Sequence, residues 1–266
     1  MTDYSSYKLY LNSVQSNTLK TLTEAMKEVL NDVTIYFNQD GFKICAMDGT
    51  KSTFIHMFLN GNKFEEYYCP NDFTAGVNMT SLFKLMKPIS NNDTITMYIE
   101  KKIDTELVIK IENSEKKTVD QSHLKLLDID DEIYKIPDSE FTQIVTMPSS
   151  DFQRYCRDMN SISDYVSLKT FYSSEGNVLE ISCEGDFAKK KIIIGESMSL
   201  SFSTENIKND SASGIFSLKY LMLFTKSTNL CSTVEIYLKD DFPLLLSYSI
   251  ANLGQIRYCL APKNDI

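Results

Sequence analysis

Eight basic side chains fall in pairs, one pair on each of four stretches with helical spacing. They are Lys20 and Lys27 in residues 19–30, Lys84 and Lys87 in 80–89, Arg154 and Arg157 in 151–162, and Lys219 and Lys226 in 217–228. At 3.6 residues per turn, apolar stripes emerge. Leu19, Leu22, Met26 and Leu30 form the first, Leu82, Leu85, Met86 and Ile89 the second, and Phe152, Tyr155, Cys156 and Met159 the third. Lys84, Lys87, Arg154 and Arg157 project opposite their stripes. Lys20 with Lys27, and Lys219 with Lys226, are seven apart and share a flanking face. One such pair is an ordinary solvated helix face; the signal is the set of four. These windows hold eight basic residues against four acidic ones (Glu24, Glu28, Asp151, Asp158), in a chain whose net charge is −9. Positive charge is thus concentrated on the helices, and the rest of the chain is acidic. Such faces attract phosphates by Coulomb interaction and counterion release without reading bases. Two of the three arginines lie on the third stretch, where a guanidinium can grip phosphate oxygens as a fork.

Catalytic chemistry has little to stand on. The two histidines, His56 and His123, have no metal-ligand spacing around them. There is no phosphate-binding Gly-Lys loop, no G-x-G-x-x-G and no nucleophile elbow. The six cysteines are scattered singly, with no C-x-x-C. They read as small buried apolar side chains of a reducing compartment. No cofactor, no metal and no enzymatic activity are expected. Residues 1–10 have no apolar signal core, and apolar runs such as 221–224 fall far below the ~18 residues of a membrane span. The expectation is an intracellular protein with no membrane partner.

The elements that must position the basic helices are mostly short strands. Alternation marks residues 94–99, 234–238 and 246–250, while the apolar runs 54–59 and 192–194 read as strands buried on both faces. Turn signals such as Asp40-Gly41 and Asn91-Asn92-Asp93 separate them. Thr80 and Ser217 are candidate helix caps, and Pro88 a helix stop. Two helices fall in each half. Gly76-Val77-Asn78 leads into a helix, a polar turn and a strand, and Gly214-Ile215-Phe216, 138 residues on, does the same. That spacing fits a duplicated domain rather than a solenoid repeat. The acidic, proline-containing stretch between the halves reads as a connector. The division is an N-terminal domain at 1–124, a connector at 125–139 and a C-terminal domain at 140–266, in an α+β fold.

Several longer stretches carry a family resemblance. They include Ala46-Met47-Asp48-Gly49, Gly76-Val77-Asn78-Met79-Thr80-Ser81-Leu82, Lys125-Leu126-Leu127-Asp128-Ile129-Asp130 and Cys156-Arg157-Asp158-Met159. Further on come Lys219-Tyr220-Leu221, Phe224-Thr225-Lys226 and the ending Tyr258-Cys259-Leu260-Ala261-Pro262-Lys263. In this order they resemble the proliferating cell nuclear antigen family of DNA sliding clamps over nearly the whole chain. The resemblance implies a clamp fold of two similar domains, each with antiparallel sheets outside and two helices lining a central channel. It implies a homotrimeric ring around duplex DNA, with the eight basic residues lining the hole. It also implies a pocket for short motif peptides of DNA polymerase, flap nuclease, ligase and clamp loader. That pocket maps to Met47, Ile129, Tyr134, Ile136, Pro137, Phe242, Pro243, Cys259, Ala261 and Pro262.

The resemblance is uneven in three places. Cys259 stands where the family usually has an aromatic residue, which widens the pocket. Ser122 stands where an interface strand usually has tyrosine, which weakens the ring contact. The lysine modified by ubiquitin in eukaryotic relatives falls near Tyr172, with Lys169 the nearest lysine, so regulation there is not implied. Residues 118–124 and 189–194 are expected edge strands that pair between copies, with Lys189-Lys190-Lys191 facing acidic groups of the neighbour. A clamp-fold checkpoint factor or viral transcription-associated factor is the alternative role. The expected location is the nucleus, or a cytoplasmic viral factory for a viral protein.

Overall fold

A computed structural model describes residues 3–129, 141–203 and 211–263. These divide into two units, one drawn from 1–49, 56–135 and 250–255, the other from 50–55, 136–249 and 256–266. Each strand is grouped below with the unit that holds most of its residues.

The first unit runs β1 (Tyr7–Ser13), α1 (Ser16–Lys27), β2 (Asp32–Asn38), β3 (Gly41–Met47), β4 (Thr53–Asn60), β5 (Glu66–Tyr68), β6 (Phe73–Asn78), α2 (Met79–Met86), β7 (Thr94–Glu100), β8 (Glu106–Asn113) and β9 (Thr118–Lys125). The second runs β10 (Gln143–Pro148), α3 (Ser149–Asn160), β11 (Tyr165–Ser173), β12 (Gly176–Glu184), β13 (Lys189–Gly195), β14 (Ser201–Phe202), β15 (Ala212–Ser217), α4 (Leu218–Phe224), β16 (Thr233–Leu238), β17 (Leu244–Ile250) and β18 (Gly254–Leu260). The two lists match element for element. So do the strand orders: β5-β1-β7-β8-β9 and β4-β3-β2-β6 in the first unit, β14-β10-β16-β17-β18 and β13-β12-β11-β15 in the second. The loose internal likeness of the halves is therefore a complete topological duplication. The fold is α+β, with ladders that are antiparallel throughout the paired strands described.

In each unit the helices close a core under the sheets. α1 buries Leu19, Leu22 and Met26, and α2 buries Met79, Leu82 and Met86, beside Leu9 and Leu11 of β1 and Ile35 and Phe37 of β2. In the second unit Phe152, Cys156 and Met159 of α3 and Leu218, Leu221 and Phe224 of α4 are buried. Phe224 stacks on the fully buried Tyr258 at 4.5 Å between centroids. Each large apolar side chain so buried contributes about 1.5–3 kcal/mol. Burial of one stripe per helix dictates which residues are left outside.

Local chemistry sets the helix limits, which differ from those read off the periodicity. α1 starts at Ser16, whose buried hydroxyl donates to the Asp93 carbonyl at 2.6 Å. α2 is capped by Asn78, whose Oδ1 accepts from the Ser81 amide at 2.8 Å, so Thr80 lies inside the helix rather than at its cap. Ser217 does occupy the cap position of α4, but its side chain makes no capping bond. α4 is short and tightens into a 3-10 helix at Thr225–Leu230. α3 carries Asp151 in its first turn, where a carboxylate complements the helix dipole.

Neither run expected to be buried on both faces is so. Residues 54–59 alternate buried and half-buried along β4. The run 192–194, expected to be buried on both faces, lies in β13, an outer strand of its four-stranded run, and Ile193 is 61% exposed. Its apolar character does not come from the core of this unit.

Asp93 fixes the end of the first unit where α1, the α2–β7 turn and β8 meet. Its carboxylate accepts from the Ser90 amide at 2.7 Å and from the Asn113 side-chain amide at 2.6 Å. The Ser90 hydrogen bond, then that of Asn113, holds the Asp93 carboxyl below the ordinary carboxylate range despite burial. A folded pKa below the unfolded one gives stability that is present above the unfolded value and lost as pH falls through the folded one. Urea unfolding from pH 7 down to pH 2 is therefore expected to show stability falling below about pH 4. In Asp93→Ala the stability is lower by about 1–3 kcal/mol at neutral pH, because two donors lose their acceptor, and the acid-side slope is reduced. An unchanged slope in the variant removes Asp93 from the acid transition.

Candidate nucleic-acid interface

The eight basic residues divide by environment. Lys84, Lys87, Arg154, Arg157, Lys219 and Lys226 are exposed, opposite or beside the buried stripes of α2, α3 and α4. Lys226 lies on the 3-10 extension of α4. Lys20 and Lys27 on α1 are half-buried. The Lys20 Nζ donates to the Ile89 carbonyl at 2.8 Å, closing the segment after α2. Lys27 pairs with Glu28 and lies 4.9 Å from the Phe83 ring. These two lysines are partly committed to the fold.

Arg154 is the most organised of the exposed cations. Its guanidinium donates to the Asp151 carboxylate at 3.1 Å and lies 4.5 Å from the Tyr155 ring centroid. A pair this exposed is screened by water, so its effect is orientation rather than stability. The two residues are three apart on one helix, a spacing that brings such side chains together. Asp158, also on α3, takes the Lys190 ammonium at 3.1 Å. Of the four acidic residues on these stretches, Glu28 and Asp151 pair with Lys27 and Arg154 of the same faces, and Asp158 is taken by Lys190 from outside them.

The lysine run on β13 finds carboxylates within its own unit. Lys189 pairs with Glu184 at 2.6 Å, Lys190 with Asp158, and Lys191 with Glu180 at 3.1 Å, all within the second unit. The register of β12 on β13 places Glu184 opposite Lys189 and explains the first pair directly. These lysines were expected to meet carboxylates of a neighbouring copy; each already has one at home.

The residues assigned to a partner pocket lie in three places. Met47 ends β3 and is half-buried. Ile129 belongs to the described start of the connector, which docks on β6: the Leu127 amide donates to the Gly76 carbonyl at 2.8 Å. A Cβ at Gly76 would run into the Leu127 carbonyl and the Ile129 side chain, so glycine is required by this close approach. Tyr134, Ile136 and Pro137 lie outside the described residues.

The others gather in the second unit. β17 and β18 are neighbours joined by the turn 251–253, so the start of one and the end of the other share one end of the sheet. That places Phe242 and Pro243 beside Cys259, Ala261 and Pro262. Phe242 meets the Phe141 ring edge-on at 5.6 Å, and Phe242 and Pro243 keep part of their surface open. Cys259 is half-buried, and burial pushes its thiol up to about 11, so it is a neutral, small wall at physiological pH. Beyond it, the Ala261 amide donates to the Ser52 carbonyl at 3.1 Å and the Lys263 amide to the Ile215 carbonyl at 2.8 Å. The C-terminal segment thus docks on β15 as the connector docks on β6. Among the described residues no group of His, Cys, Asp and Glu is arranged to hold a metal ion, and no helix is long and apolar enough to cross a membrane.

Residues 9–133 match the sequence model of the proliferating cell nuclear antigen N-terminal domain, and residues 135–263 that of its C-terminal domain. A probable DNA polymerase sliding clamp of Paramecium bursaria Chlorella virus 1 is 34% identical over 95% of this chain and 96% of its own length. A proliferating cell nuclear antigen of Chaetomium thermophilum is 32% identical over 94% of this chain and 95% of its own length.

Proposed function

The chain belongs to the proliferating cell nuclear antigen family and is a DNA polymerase sliding clamp, and from that premise we propose that three copies close into a ring whose basic helix faces ride on duplex DNA. The observation that carries this reading is the placement of six exposed cations away from the buried stripes of α2, α3 and α4. Their attraction to phosphates is non-specific and weakens with salt. Topology, rather than tight binding, then holds the clamp, so linear DNA loses it from the ends. Lys20 and Lys27 belong to the same lining, with part of their bonding spent within the unit.

Ring closure is supported by two outer strands. β9 is exposed along most of its length, and β13 is exposed at every second residue. Each terminates its run of strands in its own unit, and an unpaired edge of seven or eight residues is a template for another copy. Ile193 and Val119, 61% and 60% exposed, give these edges apolar surface. Light scattering is expected to give three copies per particle at micromolar concentration, with dissociation on dilution because Ser122 offers no aromatic contact. A monomer at every concentration overturns the ring.

The division at 125–139 is the connector of this reading, and Met47, Ile129, Tyr134, Ile136, Pro137, Phe242, Pro243, Cys259, Ala261 and Pro262 form the site for motif peptides of polymerase, flap nuclease, ligase and clamp loader. The protein acts as a scaffold without catalysis, in the nucleus or in a viral factory. A checkpoint or transcription-associated role is not favoured, because the two relatives above are named DNA polymerase sliding clamp and proliferating cell nuclear antigen. A loader-dependent primer-extension assay tests the function: product length is expected to rise with this protein and loader together, and no rise with either alone.

A further inference from the structure

The five-stranded sheet of the first unit carries a tyrosine cluster on its solvent face. Tyr10 on β1 lies opposite Tyr68 of β5 on one side and Tyr98 of β7 on the other. Its neighbours Leu9 and Leu11 point into the core, so Tyr10 points out. The N-terminal segment lays two more rings on this row. Tyr4 stacks on Tyr68 at 5.1 Å and meets Tyr10 edge-on at 5.3 Å. Tyr7 lies 5.3 Å from Tyr10 and 5.2 Å from Tyr98. All five keep part of their surface open.

The segment that supplies Tyr4 and Tyr7 is held in place. The Lys101 amide donates to the Ser6 carbonyl at 2.9 Å, and its ammonium to the Ser5 carbonyl at 2.7 Å. The family match begins at residue 9, after these two rings. Two carboxylates border the cluster: Glu66 on β5, whose charge adds to burial in raising the Tyr10 phenol, and Glu100 opposite Tyr7. Neither joins an ion pair among the described residues. The nearby cations are committed elsewhere, Lys101 to Ser5 and Lys8 to Asp104 at 3.3 Å.

We propose that this tyrosine face docks an arginine-bearing extended segment of a partner protein. The charge balance chooses the occupant. A guanidinium stacks flat on tyrosine rings and donates as a fork to a carboxylate, and the face offers both. A phosphate chain or an acidic peptide would meet Glu66 and Glu100 instead. A second copy of the same face would bring the same carboxylates against them. Tyrosines already packed on one another lose little freedom on binding, which is why such residues dominate interface energetics.

The probe is a fluorescein-labelled decapeptide of alternating arginine and proline, titrated at physiological salt and followed by anisotropy. Its counterpart of alternating glutamate and proline is the control. Two double variants are compared, each checked by thermal melting: Tyr4→Ala with Tyr7→Ala, which lie at or before the start of β1, and Glu66→Gln with Glu100→Gln, which keep shape and remove charge. The arginine peptide is expected to bind saturably and at least tenfold more weakly to either variant, and the glutamate peptide not to bind. Equal affinity for the variants and the parent protein overturns the proposal and leaves only attraction to a chain of net charge −9. Equal binding of both peptides overturns it as well.

Discussion

Reversing Arg154 and Arg157 together to glutamate is expected to lower the affinity of the clamp for duplex DNA about thirtyfold at physiological salt, with loader-dependent synthesis falling in step. The magnitude follows from counterion release. Each phosphate contact contributes a slope of about 0.9 in log affinity against log salt, so two lost contacts near 0.15 M remove about 1.5 decades. The reversed charges add repulsion on top. Folding is expected to survive, because both side chains are exposed on α3, away from the buried Phe152, Cys156 and Met159. The only described ion pair broken is Arg154 with Asp151, which is solvent-screened and adds little to stability. The salt slope separates the mechanisms: removal of two contacts lowers it by about 1.8, whereas partial unfolding lowers affinity without that signature. Unchanged processivity and slope take α3 off the DNA path.

The same substitution at α1 is expected to behave differently. Lys20 holds the Ile89 carbonyl and Lys27 is tied to Glu28, so their replacement disturbs the segment after α2 as well as the charge. This division was not legible from spacing. Lys20 and Ile89 are 69 residues apart, and nothing local to either announces the bond. Periodicity did expose the buried stripes, because a 3.6-residue repeat forces apolar residues onto one face whatever the partner. Helix ends were less visible, since Ser16 starts α1 through a bond to Asp93 and Asn78 caps α2 from the last position of β6. An apolar run such as 192–194 reads alike whether its faces meet a core or lie open, and β13's place at the end of its run of strands decides which. The lysines beside it found carboxylates across the β12 ladder and on α3, contacts that the linear sequence does not display. The tyrosine row was hidden for the same reason, being assembled from β5, β1, β7 and the segment before them.

Pro243→Asp is expected to abolish binding of the partner motif peptides, at a cost of about 2–4 kcal/mol or roughly 30- to 1000-fold in Kd. Pro243 is half-buried at the open end of the sheet, beside the end of β18, and a carboxylate there would have to lose water as an aromatic anchor enters. The neighbouring change has the opposite sign. Cys259 is a small neutral side chain, kept so by burial that pushes its thiol up to about 11. A generic anchor shaped for a pocket with an aromatic wall leaves unfilled space against it, and an unfilled contact of that kind costs roughly 1–3 kcal/mol. Cys259→Tyr is therefore expected to tighten binding of generic motif peptides by about ten- to a hundredfold, while peptides from the clamp's own partners gain less or lose affinity because their anchors already fill the gap. Calorimetry on both variants with both classes of peptide measures this directly. Stability of the parent and the variants, followed by melting, keeps a folding defect apart from a binding one. If Cys259→Tyr leaves generic affinity unchanged while Pro243→Asp abolishes it, the site is in the right place and its width is set by residues other than Cys259. If neither substitution alters binding, the motif peptides engage a different surface.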